Sequence, residues 1–448
     1  MSVSPSDPPV DPFAALRSRS YLGLLIVAAA LGVPIAAAAY WFLKLIADVD
    51  EWLYTDLPRG LGFDGEPTWW PVLPLVVAGV VVGLVVRYLP GRGGESPADG
   101  FKAGGVAQPI ELPGIAIAAL ASIGLGAVVG PEGPLIALGG GLAFLAMRLA
   151  QRGDVPAQTA AVVAVTGSFA AISTLLGSPL AGAFLLMEAS GLGGATATTV
   201  LIPGLLGAGI GALIFTGLSS LTGYGTFSLA IPDLPPVATP TIAELAWALA
   251  IGAVAAFACW AIRQLALFLR PLVEQRPVLL TPVVGLAIAA LAIAYAEGTD
   301  NPTTDVLFSG QEALPALITH SADYTVPALL LLVACKGLAY SGALCSFRGG
   351  PTFPAMFIGA AGGIALSHLP GLTVVAGAAI GIGAMAVGML KLPMTSVLLT
   401  TLFLGTEGLT VMPLVIVAVV VSYVLTIRLT PAPALAPPAE TPTPAHAR

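Results

Sequence analysis

The sequence predicts an all-α polytopic membrane protein, on three observations. Of 448 residues, 57% are hydrophobic and only 9% are charged, whereas soluble domains carry about 25% charged residues. Mean hydropathy is +0.94. The apolar residues gather into long runs, and 53 Gly and 39 Pro are embedded in the chain; both residues are commoner in membrane helices than in soluble ones, and both interrupt them. These numbers exclude an ordinary soluble protein. They also exclude nucleic acid as a partner, because the net charge is −7 and phosphate binding needs clustered positive charge.

A helix needs about 20 apolar residues to cross a bilayer. The first run, 21–47, follows Arg17 and Arg19 and closes near Trp41 and Lys44. It is too long for the core of a signal peptide and ends like a membrane anchor; the basic residues ahead of it place the N-terminus in the cytoplasm. The next runs are 71–89, 112–129, 134–150, 159–176, 178–190 and 199–221. After them come 241–269, 278–297, 325–345, 354–369, 372–389, 393–404 and 411–429. Several are too short to span alone. Short apolar pieces parted by Gly and Pro imply tilted or broken helices that meet inside the membrane, where irregular backbone survives only under cover of protein or a water-filled cavity. Residues 1–20 read as a disordered tail, and 431–448 as a disordered, Pro/Ala-rich one.

A weak internal repeat divides the rest into a first half, 21–232, and a second, 233–430. Gly177-Ser178-Pro179-Leu180-Ala181-Gly182 returns in kind as Lys391-Leu392-Pro393-Met394-Thr395-Ser396. Upstream of each stands a Gly/Pro turn before a Gly-rich apolar run: Gly130-Pro131-Glu132-Gly133-Pro134, then Gly349-Gly350-Pro351-Thr352-Phe353-Pro354. Two such halves suggest a site between repeats.

Glu132 is the only charged residue from Leu112 to Met147. A carboxylate at such depth costs roughly 2.5–3.5 kcal/mol on insertion scales and is a functional candidate by default. Pro134 suits the first position of a following helix, and Gly130 and Gly133 let the chain turn tightly and expose its N–H groups. A helix N-terminus with free amides is an anion site. Glu132 would then be a gate that occupies the site when charged and leaves when protonated, or else a plain helix cap. The second turn offers the same physics: Thr352 and Phe353 present N–H groups where Pro354 starts a helix, with Arg348 at an aqueous vestibule. A third turn, Gly91–Pro97, places the hydroxyl of Ser96 where it could donate to an anion, or is a surface loop.

Glu188 is the only charge between Asp154 and Asp233, and Lys336 the only one between Asp323 and Arg348. Glu188 is a structural carboxylate or part of a proton route; Lys336 raises the potential near an anion path or reaches for the interface. Cys259, Cys335 and Cys345 form no C-x-x-C pair, and His320, His368 and His446 form no H-E-x-x-H, so a metal site has no ligand set. No phosphate-binding G-x-x-x-x-G-K-[ST] is present, which removes ATP-driven pumping by this chain. Ser341 with His368 makes no credible hydrolase dyad. No enzyme and no cofactor is expected.

The turns resemble those of the CLC family of chloride channels and chloride/proton exchangers, whose GSGIP, GREGP and GGIFAP turns set helix N-termini around a central anion site. Gly130–Pro134 keeps GREGP except its Arg. Pro179–Gly182 is similar to NAPLAG, Gly349–Pro354 stands in for GGIFAP, and Lys391–Thr395 is similar to RAPLTG. The likeness holds in order over roughly residues 20–430. It implies a CLC-like fold of two inverted repeats, of the bacterial type without CBS domains. It further implies a homodimer with one pore per subunit, chloride and protons as the ions moved, the bacterial plasma membrane as location, and both termini cytoplasmic. Glu132 takes the gate's place, with Gly130, Gly133, Thr352, Phe353 and Ser96 around the anion.

The departures bear on mechanism. Pro131 replaces the family's Arg, Thr352 its Phe, and no Tyr follows Tyr423 to act as the coordinating Tyr. Many exchangers carry a second, inward-facing Glu just after the position of Glu188; here it is Ala189. The reading is transport of chloride or a similar small anion, gated and in an exchanger proton-coupled by Glu132. A passive channel is the alternative, and so is an organic-anion transporter with Arg348 or Lys336 as carboxylate partner.

Overall fold

The computed structural model describes residues 16–101, 106–151, 157–191, 194–223, 230–232 and 234–430. Each of the fourteen apolar runs is a helix. They are α1 (Arg19–Glu51), α2 (Val72–Tyr88), α3 (Leu112–Gly124), α4 (Glu132–Gln151), α5 (Ala157–Leu176), α6 (Pro179–Ser190) and α7 (Gly194–Thr222). The rest are α8 (Ile242–Gln275), α9 (Pro277–Thr299), α10 (Val326–Ser346), α11 (Thr352–Ser367), α12 (Val374–Leu390), α13 (Pro393–Phe403) and α14 (Gly405–Leu429). Among the described residues, eight helices are long and apolar enough to cross a membrane; the others are shorter, as the interrupted pattern requires. Two short helices, Leu57–Gly60 and Leu314–Thr319, were not legible as apolar runs because each is barely more than one turn. Of the expected N-terminal tail, Arg19 already belongs to α1 and residues 1–15 lie outside the described residues, as does the tail at 431–448.

Helix boundaries follow local chemistry. Ser18, Ser178, Thr241 and Thr325 accept N–H bonds at the starts of α1, α6, α8 and α10, relieving donors that no helix can satisfy internally. Thr241 and Glu244 form a reciprocal capping box. One expectation shifts: α4 and α11 begin at Glu132 and Thr352, two residues before Pro134 and Pro354. The first four N–H groups of a helix have no internal acceptor, so a proline is as harmless at the third position as at the first.

Helices α2 and α9 run antiparallel, with Leu75, Gly79 and Gly83 of α2 against Gly285, Pro282 and Pro277 of α9 in turn. The end of α2 therefore meets the start of α9 at one face of the protein, and α9 delivers the chain to the opposite face after 23 residues, about 35 Å. Exposed Leu22, Ile26, Trp41, Val254, Phe257, Leu279 and Val283 line the outer surfaces of these long helices, as lipid contact demands.

The closest helix pair is α11 with α12. A Cβ on Gly363 would overlap the Gly377 carbonyl, and one on Gly381 would overlap the Gly359 carbonyl. Without a hydrophobic drive between helices in lipid, small residues that let backbones touch supply the packing. This contact fixes α11, whose N-terminus forms part of the site. Replacing Gly363 with Ala should cost about 3 kcal/mol or more, read as a lower thermal midpoint and loss of monodisperse protein in detergent. Gly362, where a Cβ meets nothing within 4 Å, should tolerate Ala with a change under about 0.5 kcal/mol.

Candidate anion site

Two helix N-termini meet in the interior. The strand of chain before α4 and the strand before α11 pair through a single β-bridge: Gly130 N–H donates to the Gly350 carbonyl at 2.8 Å, and Gly350 N–H to the Gly130 carbonyl at 2.6 Å. Only glycines fit, since a Cβ on Gly130 would overlap Glu132 Oε2 and one on Gly350 would overlap its carboxyl carbon. The Glu132 side chain is thus folded back between the two turns. Its Oε1 accepts the Thr352 N–H, the first amide of α11, at 2.5 Å. Its Oε2 is buried with no hydrogen-bond partner, and the residue is 1% exposed.

Each helix N-terminus carries about half a positive charge. Two converging ends therefore amount to about one positive charge in a low-dielectric interior, and one carboxylate balances it. Supporting contacts hold the tips: Tyr340 O–H donates to the Pro351 carbonyl at 2.6 Å, and Ser122 Oγ accepts the Arg348 N–H at 3.0 Å. Tyr340 and Ser122 were missed in the sequence. The one available signal for Tyr340 was that it is the sole aromatic residue of α10, just before the Gly-Gly-Pro turn.

Cavities flank this junction from opposite faces. One, about 330 Å³, is walled by the Gly91–Gly100 turn that follows α2, by Gly133 and Pro134, and by Arg348 and Pro351. The other, about 410 Å³, is walled by Asp50, Tyr54, Glu66, Glu312 and the 307–310 segment that follows α9, and reaches Pro131. Pro131 faces one cavity and Gly133 the other, so Glu132 stands between them. The second cavity is acidic. Burial pushes Glu66 up to about 6, with Thr303 Oγ1 donating to it at 2.7 Å, and burial also raises Glu312.

Ser96 is buried and lines the first cavity, its hydroxyl 3.5 Å from the Leu344 carbonyl. The turn it follows makes only a three-residue 3-10 segment, Pro97–Asp99, closed by Gly100 at φ +86. The third helix end implied by the resemblance is therefore absent among the described residues. Gly130 shapes the turn but offers no free amide, its N–H being engaged by Gly350. Gly133 lines the first cavity. Phe353 is buried at the start of α11, edge-on to Phe403.

Glu188 lines neither cavity. Its carboxylate accepts the N–H groups of Met394 and Thr395 and the Thr395 hydroxyl, at 2.7–3.0 Å, capping α13 and tying the two halves together. Lys336 lines neither cavity. It is fully buried and donates to the carbonyls of Asp305, Val306, Leu307 and Phe308 at 2.8–3.4 Å, with the Phe357 ring 4.4 Å away. It holds the segment that walls the second cavity. Arg348 does line the first cavity, as the sequence suggested.

The arrangement has relatives. The family described as "Voltage gated chloride channel" matches residues 97–426. YfeO of Salmonella choleraesuis (strain SC-B67), named as an ion-transport protein, is 30% identical over 357 residues, 78% of this chain and 82% of the relative. YfeO of Escherichia coli (strain SMS-3-5 / SECEC) is 29% identical over 364 residues, 79% and 81% of the two chains. A slow cyanobacterial Cl−/H+ antiporter superposes with TM-score 0.71 at 17% identity, over 91% of this chain and 94% of that one. A CLC-type fluoride/proton antiporter superposes with TM-score 0.65 at 18% identity, over 90% and 95%. These superpositions bear out the fold expected from the turns.

Two outcomes follow from the geometry. Gly350→Ala should expel the Glu132 carboxylate from Thr352, seen as loss of that contact in a structure of the variant. Glu66 binds a proton when folded that the unfolded chain releases, so its contribution to stability falls as pH rises from about 4.5 to about 6. In thermal unfolding, Glu66→Gln should remove a decline on the order of 1–2 kcal/mol across that window.

Proposed function

The chain belongs to the voltage-gated chloride channel family, and from that premise we propose that Glu132 gates the passage of chloride or a similar small anion through it. The protein is an integral membrane protein of an anion-transport family. One observation carries the gate: the Glu132 carboxylate takes the first amide of α11 at the junction of two helix ends, between cavities that open on opposite faces. An anion of the same charge competes for the same donors. A proton on the unpartnered Oε2 would remove the charge that wins the competition. The Glu132 side chain then swings away, and the amides of Thr352 and Phe353 replace part of the ion's hydration shell. Ser96 and Gly133 line the approach.

The reading extends to a homodimer with cytoplasmic termini in the bacterial plasma membrane, as the family resemblance implies. Transport, not catalysis, is the activity, with no cofactor. Whether protons travel with the anion turns on the other end of the path. Ala189 stands where many exchangers carry a Glu, and Glu188 caps α13, so a passive anion channel is the second reading. A reversal potential that shifts under a proton gradient marks an exchanger, and one that follows the anion gradient alone marks a channel.

The gate is tested in liposomes holding purified protein. Glu132→Gln and Glu132→Ala should each abolish the pH dependence of anion flux; dependence retained in both removes Glu132 from the gate.

A further inference from the structure

Arg348 is a cation without a counter-ion. It is 7% exposed, and a buried charge is tolerated only when paired or solvated. Its Nε donates to the Arg92 carbonyl at 3.2 Å and its Nη1 to the Phe347 carbonyl at 3.2 Å; Nη2 makes no hydrogen bond and is not sealed in the packing, and Arg348 lines the first cavity. No carboxylate among the described residues lies within 4 Å of the guanidinium. The charges whose field reaches it are Arg92, Arg270, Asp99 and Glu274, and both acids are already paired with Arg270. The other carboxylates of the cavity, Glu95 and Glu111, lie on more exposed parts of its wall, and Glu111 accepts the Gln108 N–H at 2.8 Å. Lys336, the other buried cation of this half, contrasts with it, because four carbonyls surround it.

Nη2 keeps both of its N–H groups and Nη1 keeps one, and the coplanar donors of a guanidinium match the oxygens of a planar oxyanion better than a spherical halide. The cavity of about 330 Å³ has room for such an ion. Arg348 precedes by four residues the Thr352 amide that Glu132 occupies, so an ion held there waits beside the gate. We propose that Arg348 is the recognition residue of an anion site in the first cavity, and that this site selects a small planar monovalent oxyanion, of the nitrate, hydrogencarbonate or formate class, over chloride. The proposal rests on the transport reading, which makes this cavity an ion's approach to Glu132.

The test is calorimetric titration of the purified full chain in detergent with nitrate, formate and chloride, alongside flux competition in liposomes. Wild type should bind nitrate and formate more tightly than chloride. Arg348→Gln should weaken both oxyanions by about tenfold or more, the scale of a charge-assisted hydrogen bond, and bring them level with chloride. Arg348→Lys keeps the charge without the planar edge; it should retain anion binding and lose the oxyanion preference, and it decides the matter if Arg348→Gln does not fold. No preference in wild type, or a preference that survives in Arg348→Lys, overturns the proposal. Chloride flux with Glu132-dependent pH response but no role for Arg348 leaves the transport reading standing and sinks only this site. Arg348-dependent oxyanion binding with no flux of any anion does the reverse.

Discussion

Two positive helix ends point at one another in the interior of a membrane protein, and that junction is tolerable only with a negative charge between them. The ends of α4 and α11 are locked together by the Gly130–Gly350 backbone pair, so they cannot separate to relieve their repulsion. Glu132 supplies the charge from within the chain. Because each end contributes about half a charge, one carboxylate is enough to balance the pair. Much of the surrounding architecture serves this junction. The glycine contacts of α11 with α12, the Tyr340 bond to Pro351 and the Ser122 bond to Arg348 all hold the amides in place.

The ionic groups of the interior have three different fates, each decided by what surrounds them. Lys336 is solvated by four carbonyls and braces the wall of the second cavity. Glu188 is satisfied by a helix end and a hydroxyl and fastens one half of the chain to the other. Arg348 and Glu132 are left incompletely satisfied, one with free guanidinium N–H groups and one with a bare oxygen. Unfilled bonding capacity in a buried group is expensive, and here it persists beside the two cavities.

The two cavities differ in the ionic groups that wall them. Arg348 is a buried cation in the wall of the first, with Glu95 and Glu111 on more exposed parts of it, while Asp50, Glu66 and Glu312 give the second an acidic wall. Pro131, where the family's turn carries an Arg, removes a cation from the acidic side. Of the two walls, only the first includes a cation.

The sequence by itself determined the membrane setting and all fourteen main helices, and it singled out Glu132 as a lone charge in an apolar stretch. These are legible because a bilayer demands long apolar runs, and because a lone charge or a Gly/Pro break stands out against them. Local chemistry also fixed the Gly130–Pro134 and Gly349–Pro354 turns. Only the tertiary structure decided which of the marked charges face a cavity. Glu188, Lys336 and Arg348 look alike in sequence, each an isolated charge in apolar chain, yet two have their bonds filled by segments far away in sequence and one does not. Ser96 is buried rather than on a surface loop, and the helix end that the resemblance implied beside it is a three-residue 3-10 segment. Such outcomes depend on which carbonyls and amides the fold brings within 3 Å, and that is a property of packing between distant segments, which no local pattern encodes.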